Sequence, residues 1–169
     1  MSLLPIGRPF LSDAGRVRQF PSVSAYGKGA VAYVCDREMR VTGNRGLFFA
    51  AELANDRSVP LVVIAVSDTS WSYGNFRHLS AEAGSFADMA VRLEKLGIPL
   101  FPFFGDDAAE RVREHVANGG FAAAVFDFSP IRAQLELRKA VCESTGVPVF
   151  EVDSRCAVPA RSVSGKLEV

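Results

Sequence analysis

Five short apolar runs recur along the chain, at Ala30–Cys35, Pro60–Val66, Pro99–Phe104, Ala122–Asp127 and Val147–Val152. Each has the length and composition of a strand buried on both faces of a sheet. The stretches between them, approximately Asn44–Arg57, Ser80–Leu96, Asp106–Asn118 and Ile131–Thr145, are long enough for crossover helices. In the second, Leu79, Ala83, Phe86, Ala90 and Leu93 follow the spacing of one buried stripe, and Gly97 and Pro99 supply the stop. The third opens on Asp106 and Asp107, carboxylates suited to the positive end of a helix. Strands and helices alternating in this way predict an α/β fold, a three-layer doubly wound sheet of five parallel strands with right-handed crossovers. The run Ala30–Cys35 is expected near its centre. Residues 1–28, with Pro5, Pro9, Pro21, Gly7, Gly15 and Gly27 and no sustained period, read as an irregular arm ahead of a domain over 29–169. A chain of 169 residues is enough for one such core.

Charge narrows the partners. Nineteen Lys and Arg balance nineteen Asp and Glu, so the basic footprint of an autonomous DNA binder is missing. No apolar run approaches the roughly 20 residues that span a bilayer. The segment Leu3–Arg8 is too short and too broken for a secretory signal. The expectation is a cytoplasmic protein with no membrane partner. Cys35, Cys142 and Cys156 are odd in number, far apart and without CxxC spacing, so they read as reduced thiols rather than a disulfide framework or a zinc site.

In open α/β sheets, ligands bind outside the carboxyl ends of the strands where the strand order reverses. That rule selects the loops leaving the strands. Cys35, Arg37, Arg40 and Asn44 follow the first; Ser67, Asp68 and Trp71 the second; Gly105 and Asp106 the third. Arg37 and Arg40 suit an anionic group and Trp71 a flat ring to stack on. Asp68, Asp106, Asp127 and Asp153 all fall at strand ends, where they could face a ligand or cap the following helix. Gly27-Lys28-Gly29 completes neither a dinucleotide fingerprint nor a P-loop, and no serine sits in a nucleophile elbow. His78 reads as a capping or packing residue and His115 as solvated. These residues specify no catalytic group and no metal.

The stretch Val31–Leu47, with Cys35-Asp36-Arg37-Glu38-Met39-Arg40 and Asn44, resembles the opening of class II DNA photolyases. Further similarities follow in order: Asn75-Phe76-Arg77-His78, Gly97-Ile98-Pro99, Phe126-Asp127-Phe128-Ser129-Pro130-Ile131-Arg132, Val149-Phe150-Glu151-Val152-Asp153, Val158-Pro159 and Lys166-Leu167-Glu168. The resemblance covers the N-terminal, Rossmann-like α/β domain of the photolyase and cryptochrome family. It implies a domain able to hold an antenna chromophore, a deazaflavin or a folate. The family's following helical domain binds FAD and the cyclobutane pyrimidine dimer and lies outside the resemblance, so FAD is not expected here. A helical FAD-binding domain is the implied partner, and the chain alone is expected to be inactive. Arg37, Arg40 and Asn44 match the first family motif, and Asp127, Ser129 and Arg132 the fourth; the resemblance gives them roles in positioning strand-end loops and the interdomain surface. Where the family carries tryptophans, this chain has Val34, Arg45 and, after Val158-Pro159, Ala160-Arg161. The alternatives are a stand-alone nucleotide or cofactor module and a protein-interaction module of the same fold.

Overall fold

A computed structural model describes residues 15–21, 25–70 and 76–163. Its elements run β1 (Val17–Gln19), β2 (Val31–Cys35), α1 (Arg45–Arg57), β3 (Leu61–Asp68), α2 (Phe76–Lys95), β4 (Leu100–Gly105), α3 (Ala108–Asn118), β5 (Ala123–Asp127), α4 (Arg132–Ser144), β6 (Val149–Val152) and α5 (Ala160–Val163). Among the described residues the strands form one sheet in the order β1-β6-β5-β2-β3-β4. The five strands expected from the apolar runs are present and mutually parallel. β2 lies between β5 and β3, at the centre of those five.

The period-2 alternation of the strands divides the core into two layers. Val31, Tyr33 and Cys35 of β2, with Val63 and Ala65 of β3, face α1 and α2 through Leu47, Ala50, Phe86, Met89 and Leu93. Ala32 and Val34, with Ile64 and Val66, face α3 and α4 through Val112, Val116, Leu137 and Val141. Val34 is therefore fully buried under the second helical layer. Side-chain volume there is set by packing within this domain.

Four sequence expectations are corrected. The arm is not wholly irregular: Val17–Gln19 pairs antiparallel with β6. Its three residues were too few to show a period. The run Pro99–Phe104 is not buried on both faces, because β4 is the sheet edge; Phe101 and Phe104 are 43% and 46% exposed. The buried stripe of α2 is Phe86, Met89 and Leu93, with Ala83 exposed and Ala90 half-buried. His115 is half-buried against Phe101, Phe103 and Phe121, with ring centroids 6.2, 5.4 and 5.5 Å away, rather than solvated.

A candidate ligand cleft at the strand-order reversal

After β2 the chain winds outward to β3 and β4, then crosses back to β5 and continues to β6. The loops leaving β2 and β5 therefore diverge from neighbouring strands, and a cleft of about 540 Å³ opens there. Asp36, Arg37 and Met39 from the β2 loop form one wall, Arg77, His78 and Glu82 of α2 another, and Gln134 at the start of α4 with Arg155 beyond β6 complete it.

Beneath the cleft, Asp127 at the end of β5 organises the β2 loop. Its Oδ1 accepts the Tyr33 hydroxyl at 2.6 Å, and its Oδ2 accepts the backbone N–H of Glu38 at 2.8 Å and of Arg37 at 3.2 Å. Asn44 completes the arrangement. Its Oδ1 caps α1 by accepting the Leu47 N–H at 2.9 Å, while Nδ2 donates to the Tyr33 oxygen at 2.8 Å and to the carbonyls of Glu38 and Arg40, each at 3.0 Å. Gly46 is required by this closeness. A Cβ there would stand 2.9 Å from the Tyr33 ring and 3.1 Å from Asp127 Oδ1.

On the opposite face of the sheet, α4 carries Arg138 into full burial. Its Nη1 and Nη2 donate to the carbonyls of Asp127 and Ser129 at 3.1 and 2.6 Å, Nε lies 2.9 Å from Glu151, and Nη1 lies 3.6 Å from Asp36. Arg161 closes the chain of charge from outside, 2.7 Å from the other oxygen of Glu151 and over the Phe128 ring. It stands where the resemblance puts a tryptophan, so an inward ion pair takes the place of an aromatic surface. Removing Asp36 from water raises its carboxyl to about 8, against the pull of Arg138 and with a further push from Asp127. Burial likewise raises Asp127 to about 6, opposed by the Tyr33 and backbone hydrogen bonds. Burial and then Asp127 lift the Tyr33 hydroxyl.

The site residues expected from sequence separate into groups. Arg37 lines the cleft and donates to Ser129 Oγ at 2.6 Å. Cys35 and Asn44 lie buried below it, the Cys35 thiol donating to the Glu38 carbonyl. Arg40 is exposed and paired with Glu38 at 2.8 Å. Ser67 donates to Glu82 at 2.6 Å, and so reaches the cleft through a lining residue. Asp68 accepts the N–H of Ser70 and of Ala109, a structural role that ties β3 to α3. Gly105, with φ +120°, and Asp106 do not line this cleft. Trp71 lies outside the described residues. Asp36, Gln134, Arg138 and Glu151 were not singled out from sequence. One signal for two of them was present: Gln134 and Arg138 lie at the spacing of α4's buried stripe with Val141, where a polar side chain needs a partner.

Residues 31–168 match the DNA photolyase family. Two curated plant proteins, each called deoxyribodipyrimidine photo-lyase, are similar to the chain: one from Arabidopsis thaliana is 29% identical over 142 residues and one from Oryza sativa subsp. japonica 30% over 155. Each alignment covers 83% of this chain, which spans 28% and 29% of the two relatives. Among solved structures, the universal stress protein from Archaeoglobus fulgidus in complex with dAMP has TM-score 0.49 and 15% identity, covering 75% of this chain and 98% of that one.

Proposed function

The chain belongs to the DNA photolyase family, as its N-terminal α/β domain, and on that footing we propose that it is the antenna domain of a light-driven lyase repairing cyclobutane pyrimidine dimers in the cytoplasm. The observation that carries this reading is the cleft itself. It stands at the reversal of strand order, it is built from the stretch that resembles the family's first motif, and its rim bears Arg37, Arg77 and Arg155. A flat, partly anionic chromophore needs a concave site with convergent polar groups and cationic donors, and this cleft supplies both. Energy harvested there would pass to FAD in a helical domain, the proposed partner; DNA contact belongs to that partner as well.

One observation favours the alternative of a stand-alone cofactor module. Arg161 turns inward to Glu151 instead of offering an aromatic surface to a second domain. Titration separates the readings. Trp71 is the single tryptophan of the chain and a reporter for a bound chromophore. A near-ultraviolet or blue absorbance band on the complex, with saturable Trp71 quenching that is lost in Arg37→Ala, supports the antenna reading. Binding of an adenine nucleotide with no affinity for deazaflavin or folate sinks it.

A further inference from the structure

Helix α2 carries two uncharged stripes, and the fold of one chain uses only the first. Phe86, Met89 and Leu93 are buried against the sheet. Phe76, Ser80, Gly84, Ala87 and Val91 recur at helical spacing on the far side of the helix, and all five are exposed. Phe76 is 87% and Val91 52% exposed. Phe104 of the β4 edge, 46% exposed with its ring 5.7 Å from Phe86, extends the apolar surface beside the helix. An apolar surface of this kind on a folded chain marks a contact. A Cβ at Gly84 would meet nothing within 4 Å. Nothing inside the chain therefore requires one of the poorest helix formers in the middle of a 20-residue helix. A second helix crossing closely at that point would require it.

We propose that two copies of this chain associate through this face, α2 packing antiparallel on α2 of the second copy with Gly84 at the two-fold crossing. Charge selects a second copy as the occupant. A two-fold at Gly84 sets each residue before it level with the residue equally far after it in the other helix, and brings like flanks of the two stripes together. Arg77 and Asp88 lie on the same flank, both exposed. Across the contact they come within three residues, about 4.5 Å of helix rise, of one another, and the symmetry makes the pair twice. Arg92 holds Asp88 Oδ2 at 2.8 Å, which leaves Oδ1 for Arg77 of the second copy. Val91 comes level with Arg77 and beside Phe76 of the second copy. With no side chain at Gly84 and only a methyl at Ala87, the helices can approach to about 8 Å, the short end of helix packing. His78, Glu82 and Ser85 line the ligand cleft from other faces of α2, so cleft and contact are separate sites with Arg77 at their border.

The test is sedimentation equilibrium of the full chain and four variants from about 1 µM to about 1 mM. The parent is expected to move from one chain mass to two across that range. Gly84→Leu puts bulk at the crossing and a better helix former in an open position. It therefore folds with an equal or higher thermal midpoint and weakens the association about tenfold or more. Arg77→Glu and Asp88→Arg each weaken it, and the double variant Arg77→Glu/Asp88→Arg regains the association of the parent. Within one helix these two positions are 11 residues apart, about 16 Å, so rescue can arise only between copies. A parent that stays at one chain mass throughout overturns the proposal and leaves this face to a different protein partner. Association that Gly84→Leu leaves unchanged, or a double variant no stronger than the single ones, overturns it as well.

Discussion

Asp36 and Asp127 are carboxylic acids held where water does not reach, and each keeps its proton to higher pH in the folded chain than in the unfolded one. The sign of the consequence follows directly. Between the unfolded value near 4 and the folded values of about 6 and about 8, the folded state binds more protons than the unfolded state. Stability therefore falls as pH rises through that window, by up to about 1.4 kcal/mol per pH unit for each such group. The expected outcome is a thermal midpoint higher at pH 5 than at pH 8, with Asp36→Asn flattening the profile and raising the midpoint at pH 8. Calorimetry across that range checks it; a midpoint that climbs from pH 5 to pH 8 would contradict the buried acid. Arg138 works in the opposite sense, since it pairs with Glu151 at 2.9 Å and pulls the Asp36 carboxyl toward its ionised form. Its loss strips Glu151 of its fully buried partner and the Asp127 and Ser129 carbonyls of their donor, and Arg138→Ala should cost about 3–5 kcal/mol in urea unfolding, far more than Arg132→Ala on the exposed face of the same helix.

At the scale of elements, β4 shows how an exposed edge is kept from pairing with another chain. The carbonyls of Pro99 and Gly105 accept the N–H groups of Val63 in β3 and of Thr69 just after it, so the odd-numbered positions of β4 turn inward and the even-numbered positions outward. Pro102 is therefore the outward residue at mid-strand, and it has no N–H to offer. The outward carbonyl of Phe104 is taken by Arg111 at 2.5 Å. With Phe101 and Phe104 exposed beside it, a bonding-competent edge would invite strand addition. Pro102→Val should add concentration-dependent self-association beyond that of the parent chain, seen by light scattering after size exclusion. A variant that associates no more than the parent at high concentration would place the protection elsewhere. The opposite edge is covered by β1, where Arg16 donates to the carbonyls of Cys156 and Ala157, each at 2.6 Å. It thereby secures the segment from which Arg155 reaches Glu38 beside the cleft.

On the scale of the whole molecule, two helical layers close both faces of the sheet, and the polar network sits at one end of it. A chain with equal numbers of acids and bases has no surplus cations to displace counterions from DNA. The isolated chain is expected neither to retain stoichiometric FAD nor to split pyrimidine dimers under blue light. Purified protein carrying FAD, or repairing dimers by itself, would refute the assignment of those tasks to a partner domain.

The alternation of apolar runs with helical segments was by itself enough to place five parallel strands, four crossover helices and a central β2, because burial on both faces demands continuous hydrophobicity. The strand-end rule also led to Arg37, which lines the cleft, and to Asn44, which is buried beneath it. Which run became the edge was decided only by tertiary contacts, since Leu100–Gly105 is as apolar as its buried neighbours and differs from them in position alone. The stripe of α2 was displaced for a similar reason: both Met89 and Ala90 are apolar, and only packing against Cys35, whose sulfur lies 4.0 Å from that of Met89, chose between them. Asp36, Arg138 and Glu151 come from three elements separated along the chain. No local period marks such a group, because its charges are stabilised by partners brought together only when the sheet and α4 have packed.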